Sequence, residues 1–599
     1  MPRISVRPAL LLFLLFSLVI PALPQTRGGS RGGGGTGGHV DPATNARNAA
    51  VLGKGNDLSI IVPASANDEA RVEFRSQSVL VQVPVVVTDK SGNHIHGLAK
   101  ESFSLFENGK PVSISHFEEF NSNNTPIAPP PSADGKFRNL TIESSQPRNV
   151  VVIALDTVNT PFLDQAYGRR ELVKFLAKNV DPNEVLALML ITSHGLRVVQ
   201  GLTNSPDALV KILKQISGEI SPMETQSTDA QADLATGSAP QSQLSMFSGA
   251  DPITAMNNFV DYGDVMEAQF FQQNAVETTM NAFLGIAWSL SGVPGRKSLI
   301  WATGGFPFTI TAPDNVPGGN LTPLYERTML ALDEAQVSVY PVDIRGLMSS
   351  PGFVDANRGG ALSGLQASQR TTNRIWLQQS KFDTLNDFAD MTGGRAFYNT
   401  NDVAGAFKKA ADDGASYYML EYYLDTRDTK PGWRKLKVKM ERKEVEIRAR
   451  TGFFVTNATM NPLITRDTDM RNALQSPIEG TGVPMTVEWV TIASAGDKKK
   501  AVFYAHMAPG SLSFDPAGRD QLNFDFAAQA YDKNGKEVSH SAERFEKPVP
   551  ESQLATVRTN GVAFRNALEL TPGTYTVRFV VRDNVTGKVG SVTAPITVD

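Results

Sequence analysis

At 599 residues the chain is too long for a single core and divides into roughly three to five domains. Its formal net charge of -4 offers no basic surplus of the kind nucleic acids select. Cysteine is absent, which excludes disulfides, thiolate chemistry, cysteine-ligated zinc and a lipid-modified amino-terminal cysteine.

Residues 1–25 read as an export signal: Arg3 and Arg7 precede an apolar run from Ala9 to Ile20, which the helix-breaking PALPQ closes. The run is short for a bilayer span. No later segment is apolar enough to insert, so the mature chain is expected outside the cytoplasm (periplasm, cell surface or medium) and free of membrane insertion. Residues 26–70 open with TRGGSRGGGGTGG, which can bury nothing and reads as a flexible linker.

Over 71–120 the pattern turns to strands. Val79, Val81, Val83, Val85 and Val87 alternate up to the turn DKSGN, and Phe103, Leu105 and Glu107 lead through Asn108-Gly109 to Val112, Ile114 and His116. So few short strands bury too little to stand alone. Matching strands at Leu436–Met440 and Val445–Ala449, within 414–456, are expected to complete one β-sandwich with them. Residues 121–147, rich in Asn, Pro and Ser, read as the link to the segment between.

That segment, 148–413, begins with NVVVIALDTVNT, where an unbroken apolar run from Val150 to Leu155 ends on Asp156. Continuous apolar character fits a strand covered on both faces, and in such sheets ligands bind beyond the carboxyl ends of the strands. Helical spacing at Leu172, Phe175, Leu176 and Val180 alternates with apolar runs at Val185–Ile191, Ser298–Ala302 and Val337–Val342, which reads as α/β. The polar stretch 217–275 lacks sustained periodicity and is expected to hang over the Asp156 face without stable contacts. After a linker at 457–482, residues 483–599 alternate again, at Leu522–Ala530 and Tyr575–Val581, around the turns DKNGK and DNVTGK. They are expected to form an immunoglobulin-like β-sandwich.

The strand–DxxxT–helix opening, the stretch Thr279 to Pro307, TGGRAF at Thr392 to Phe397, and YYMLEYYL followed by WRKLKVKMERKEVEIRARTGFF together resemble the VWFA-related domain proteins, a secreted bacterial family of acidobacterial type. The resemblance runs from about Val79 to Phe454. It implies an α/β plus β fold: a von Willebrand factor type A domain, Rossmann-like with a doubly wound, mostly parallel sheet, set between β segments. It also implies protein–protein interaction through a Mg²⁺ held by Asp-x-Ser-x-Ser, a later threonine and an aspartate in Thr-Asp-Gly. Asp156 and Thr160 match the first motif, and Thr279, or its neighbour Thr278, matches the threonine. Val158 replaces the first serine, and Gly304 of Thr303-Gly304-Gly305 stands where the second carboxylate belongs. Mg²⁺ demands near-octahedral oxygen ligation. The site is therefore expected to be degenerate, binding Mg²⁺ weakly or not at all, with Asn159 or a nearby acid as the candidate substitute ligand and Asp156 capping the next helix.

Other candidates read more simply. His94 and His96 lack a third ligand, and the alternating Lys435, Lys437, Lys439, Arg448 and Arg450 make a solvated sheet face. The chain contains no G-x-S-x-G, H-E-x-x-H or Walker loop. The expected function is that of a secreted, non-catalytic, adhesion-type binding protein with a protein partner. An envelope scaffold or assembly factor independent of metal, and a hydrolase with an unfamiliar site, are the alternatives.

Overall fold

A computed structural model of the chain describes residues 78–121, 135–140, 149–178, 180–181, 184–222, 224, 230–232, 252–306, 320–347, 364–425, 430, 432–442, 444–455, 463–495, 498–514 and 520–599. The expected export signal and glycine-rich linker lie outside these residues.

The first strands are β1 (Ser78–Asp89), β2 (Phe103–Glu107), β3 (Lys110–Val112), β4 (His116–Asn121) and β5 (Phe137–Arg138). The central segment follows as β6 (Val150–Asp156), α1 (Phe162–Lys178), β7 (Val185–Thr192), β8 (Gly195–Thr203), α2 (Pro206–Leu213), α3 (Pro252–Leu290), β9 (Lys297–Thr303), α4 (Thr322–Glu334), β10 (Val337–Asp343), α5 (Gly364–Thr392) and α6 (Val403–Asp412). Then come β11 (Ser416–Asp425), β12 (Gly432–Met440), β13 (Val445–Arg448), β14 (Gly452–Val455) and α7 (Leu463–Gln475). The carboxyl-terminal region holds β15 (Met485–Ala495), β16 (Lys498–Met507), β17 (Gln521–Tyr531), β18 (Glu537–Pro548), α8 (Glu551–Asn560), β19 (Val562–Leu570), β20 (Gly573–Asp583) and β21 (Val589–Val598).

Strands from either side of the central segment share two antiparallel sheets, ordered β13-β1-β11-β4 and β14-β12-β2-β3. β1 is long enough to serve two partners: Ser78–Val85 pair with β11 and Val86–Asp89 with β13. The inward valines, Val83 and Val85, pack with Leu105, Tyr418, Leu420 and Leu436 from both sheets. Asn108 and Gly109 both take positive φ, 47° and 80°, as the tight β2–β3 turn requires. The strand read through Val112, Ile114 and His116 is in fact split, with β3 ending at Val112 and β4 starting at His116.

The central sheet is ordered β10-β9-β6-β7-β8; β10, β9, β6 and β7 are parallel and β8 is antiparallel to β7. Every residue of β6, β9 and β10 is buried. Val151, Ile153 and Leu155 face a core shared with α1 and α6, and Val150, Val152 and Ala154 face one shared with α3, α4 and α5. Parallel strands bring their carboxyl ends to one edge. Residues 156–160, 303–306 and 343–347 therefore gather there.

In the carboxyl-terminal region, a pair of four-stranded antiparallel sheets, β19-β16-β15-β5 and β18-β17-β20-β21, closes on a core that includes Phe503, Phe526, Phe564 and Phe579. Two stretches read as linkers carry structure: β5, in 121–147, adds a strand beside β15, and α7 lies within 457–482. Asp469 of α7 pairs with Arg582 at 2.8 Å and with Arg327 of α4, so the helix ties the central segment to the carboxyl-terminal sheets through buried charges.

The expected fold class is corrected by these sheets. Among the described residues four of the five sheets are wholly antiparallel and the fifth is mixed, so the architecture is not a doubly wound, mostly parallel Rossmann-like type A sheet with β additions. Parallel pairing joins β6, β7, β9 and β10, four of the 21 strands among the described residues. The remaining strands pair through antiparallel ladders. The polar stretch 217–275 differs from expectation too, because its final portion, from Pro252, belongs to the 39-residue helix α3, where Val265 and Ala268 pack on Ala230. Its buried face is built partly from alanines, too weakly apolar to register as a period. No helix among the described residues is long and apolar enough to cross a membrane.

Lys297, at the start of β9, is 1% exposed and donates from Nζ to the carbonyl of Val293 at 2.6 Å. Burial holds its ammonium down to about 7. The unfolded chain keeps that proton up to the ordinary value of 10.5, so between these pH values it binds more protons than the native state. Stability should therefore rise with pH through this window. Replacing Lys297 by Met should flatten the rise in denaturation midpoint, and an unchanged slope would contradict the burial.

Candidate functional site

Asp156 ends β6 at the carboxyl edge and is 1% exposed. A carboxylate this deep must be fully hydrogen-bonded or it destabilises the fold. Its Oδ1 accepts from the backbone N–H groups of Val158 and Asn159, both at 3.0 Å. Its Oδ2 accepts from Asn159 Nδ2 at 2.8 Å, Trp301 Nε1 at 2.9 Å and Thr303 Oγ1 at 3.0 Å. Burial pushes the carboxyl above the ordinary carboxylate range, while the donors from Asn159, Trp301 and Thr303 oppose that shift.

The three expected metal-site residues do not converge as ligands. Asn159 Nδ2 bridges Asp156 to Thr279, donating to Thr279 Oγ1 at 3.0 Å. Thr160 turns its hydroxyl to the backbone N–H of Gly304, which donates to it at 2.8 Å. Thr278 lies on the outer side of α3, half-buried, and lines a separate cleft. The residues present do not fit a hard dication, because the amide hydrogens of Asn159 occupy the space between carboxylate and threonine. Asp156 also has no oxygen left without several donors. A side chain at Gly304 would meet the Asn159 carbonyl at 2.9 Å and Thr160 Cα at 3.1 Å, so the close fit of this loop excludes a second carboxylate there. Among the described residues, no group of three or more His, Asp or Glu side chains is placed to hold a metal.

The expectation that Asp156 caps the next helix is also corrected. α1 starts at Phe162, and the N–H groups that Asp156 accepts belong to the intervening loop. The carboxylate organises that loop.

Two features of the site escaped sequence reading. Trp301 sits edge-on to Phe283, Phe306 and Phe388, with ring centroids 5.0, 5.2 and 5.7 Å away, and this packing aims its indole N–H at Asp156. A tryptophan inside an apolar strand needs a buried acceptor, and that was the available signal. The start of the polar stretch also docks here: Gln165 exchanges hydrogen bonds with the backbone of Glu219, at 2.8 and 3.0 Å, and Ser221 donates to the carbonyl of Val158. Nearby, Asp343 at the end of β10 is held at both oxygens by the guanidinium of Arg345, at 2.9 and 2.7 Å. His94 donates from Nε2 to the carbonyl of Asp412 at 3.0 Å, and His96 lies 2.9 Å from Glu119, so each histidine has a local partner.

Large apolar side chains stand exposed around this edge. Leu163 at the start of α1 is 77% exposed, Ile220 72%, Trp376 on α5 61% and Leu347 beyond β10 58%.

No family model matches the chain, and no curated protein matches it. Among solved structures, the N-terminal domain of TFIIH p34 aligns at 10% identity and a TM-score of 0.18, over 44% of this chain and 97% of that one. Bacteroides uniformis β-glucuronidase aligns at 9% identity and a TM-score of 0.13, over 30% of this chain and 19% of that one. A β-glucuronidase from glycoside hydrolase family 2 gives the same identity, TM-score and coverage. Scores this low carry no argument about fold or function.

Replacing Asp156 by Ala should destabilise the protein by about 3 kcal/mol or more, because several buried donors lose their acceptor at about 1–3 kcal/mol each. Asp156→Asn should also destabilise, since one amide hydrogen pair must then face N–H donors. Chemical denaturation followed by tryptophan fluorescence measures both. A loss confined to the ~0.5–2 kcal/mol of a helix cap would contradict the network.

Proposed function

We propose that this chain is a secreted, non-catalytic binding protein of adhesion type, and that its partner is another protein docked on the carboxyl edge of the central sheet without a divalent cation. The observation that carries the reading is the exposure of Leu163, Ile220, Leu347 and Trp376 around a loop that Asp156 holds through its hydrogen bonds. Exposed large apolar groups gathered on one face mark interaction surfaces, and tryptophan is prominent among residues that anchor protein interfaces. The acidic Asp164, Glu219 and Glu224 beside them supply a polar rim. A pre-bonded Asp156 costs nothing to reorganise when a partner arrives. Export fits the apolar run Ala9–Ile20, and the resemblance to VWFA-related domain proteins belongs to the same proposal.

Affinity capture from the producing organism's envelope fraction tests it. Capture should persist in EDTA and should fall at least ~10-fold when Leu163 and Trp376 are both replaced by Asp, as loss of anchor contacts predicts. Complete loss on chelation, or indifference to the double substitution, would overturn the reading.

A further inference from the structure

A second site lies away from Asp156, between the β7–β8 hairpin, the latter half of α3 and the end of α7. It is an open cleft of ≈ 410 Å³. That volume lies within the about 300–1,000 Å³ typical of small-ligand sites. Consecutive threonines separate it from the carboxyl-edge loop: Thr279 turns inward to Asn159, and Thr278 lines the cleft.

Its wall is unusual in chemistry. Asn274 and Asn281 of α3 line it together with Asn472 and Gln475 of α7, and none of the four side chains has a hydrogen-bond partner among the described residues. Each carboxamide offers both donors and an acceptor, as a hydroxyl does. A ligand rich in hydroxyls can therefore satisfy all four without any charge being neutralised. The one carboxylate in the wall, Glu277, already accepts from Gln273 Nε2 at 2.9 Å. The wall supplies no lysine or arginine for an anionic ligand. Trp288 is only partly buried there, and the Arg327 guanidinium lies 5.3 Å from its ring centroid, which fixes the indole in place. An immobilised indole edge beside carboxamides suits the alternating C–H and O–H surface of a sugar ring.

We infer that this cleft binds a neutral saccharide. Its walls come from two regions of the chain that Asp469 and its two arginines hold together, and Thr481 adds a second clamp. The backbone N–H of Thr481 donates to the carbonyl of Trp288 at 2.8 Å, and its hydroxyl donates to that of Ser289 at 2.9 Å. The site is preformed, so binding loses little to reorganisation.

The test is calorimetric titration of the full chain with maltose, cellobiose and N,N′-diacetylchitobiose, repeated on Asn281→Ala and Gln475→Ala. Both side chains are exposed, so neither substitution disturbs the core. Saturable binding of at least one disaccharide, weakened ~5- to 10-fold by at least one substitution as loss of a hydrogen bond requires, supports the site. Absence of saturable binding to all three sugars, or binding that both substitutions leave unchanged, overturns it. Neither outcome depends on the protein partner, so this proposal can fail while the carboxyl-edge reading stands.

Discussion

The buried carboxylate of Asp156 is the contact on which the carboxyl edge of the central sheet depends. One side chain gathers the loop after β6, the indole of β9, the hydroxyl of Thr303 and, through Asn159, the helix α3. Five donors on one carboxylate repay a desolvation that would otherwise be prohibitive. Their geometry also fixes the loop closely enough that Gly304 has no room for a side chain. Charge, packing and the choice of glycine are thus one constraint.

Much of this was legible locally. The run Val150–Leu155 announces a strand with no wet face, and Asp156 falls at its carboxyl end for the reason a sequence reader would give. The Asn108-Gly109 turn is equally local. The balance of the whole fold was not legible that way. The apolar central strands drew attention to parallel pairing, whereas β1 spends its length in antiparallel register with β11 and β13, hundreds of residues away. Pairing over that separation leaves no periodic mark beyond alternation, and alternation does not say which strand lies alongside. The linker readings failed for a related reason: α7 holds its place through Asp469 and its arginines, and charge pairs of this kind have no sequence period.

At the site, the substitutions Val158 and Gly304 are visible in the sequence, and Asn159 is visible as a residue that stands in for a lost ligand. The direction in which its amide turns is not. The structure shows that Asn159 turns nitrogen, not oxygen, toward Asp156 and Thr279, as the hydrogen-bond network requires for an aspartate on one side and a hydroxyl on the other. That amide links the carboxylate of Asp156 to α3 through its two hydrogens. The exposed apolar side chains around it form the surface proposed for docking, where the gain on binding would rest on burial.

The most direct measurement is the indole N–H resonance of Trp301 in ¹⁵N-labelled protein, followed as Mg²⁺ is added to millimolar concentration. The chain has five tryptophans, so Trp301→Phe assigns the signal. With Asp156 bonded to protein donors as described, the resonance should be protected from solvent exchange and should not move. A saturable shift, or loss of protection as magnesium binds, would show the carboxylate turning to the metal and would contradict the account.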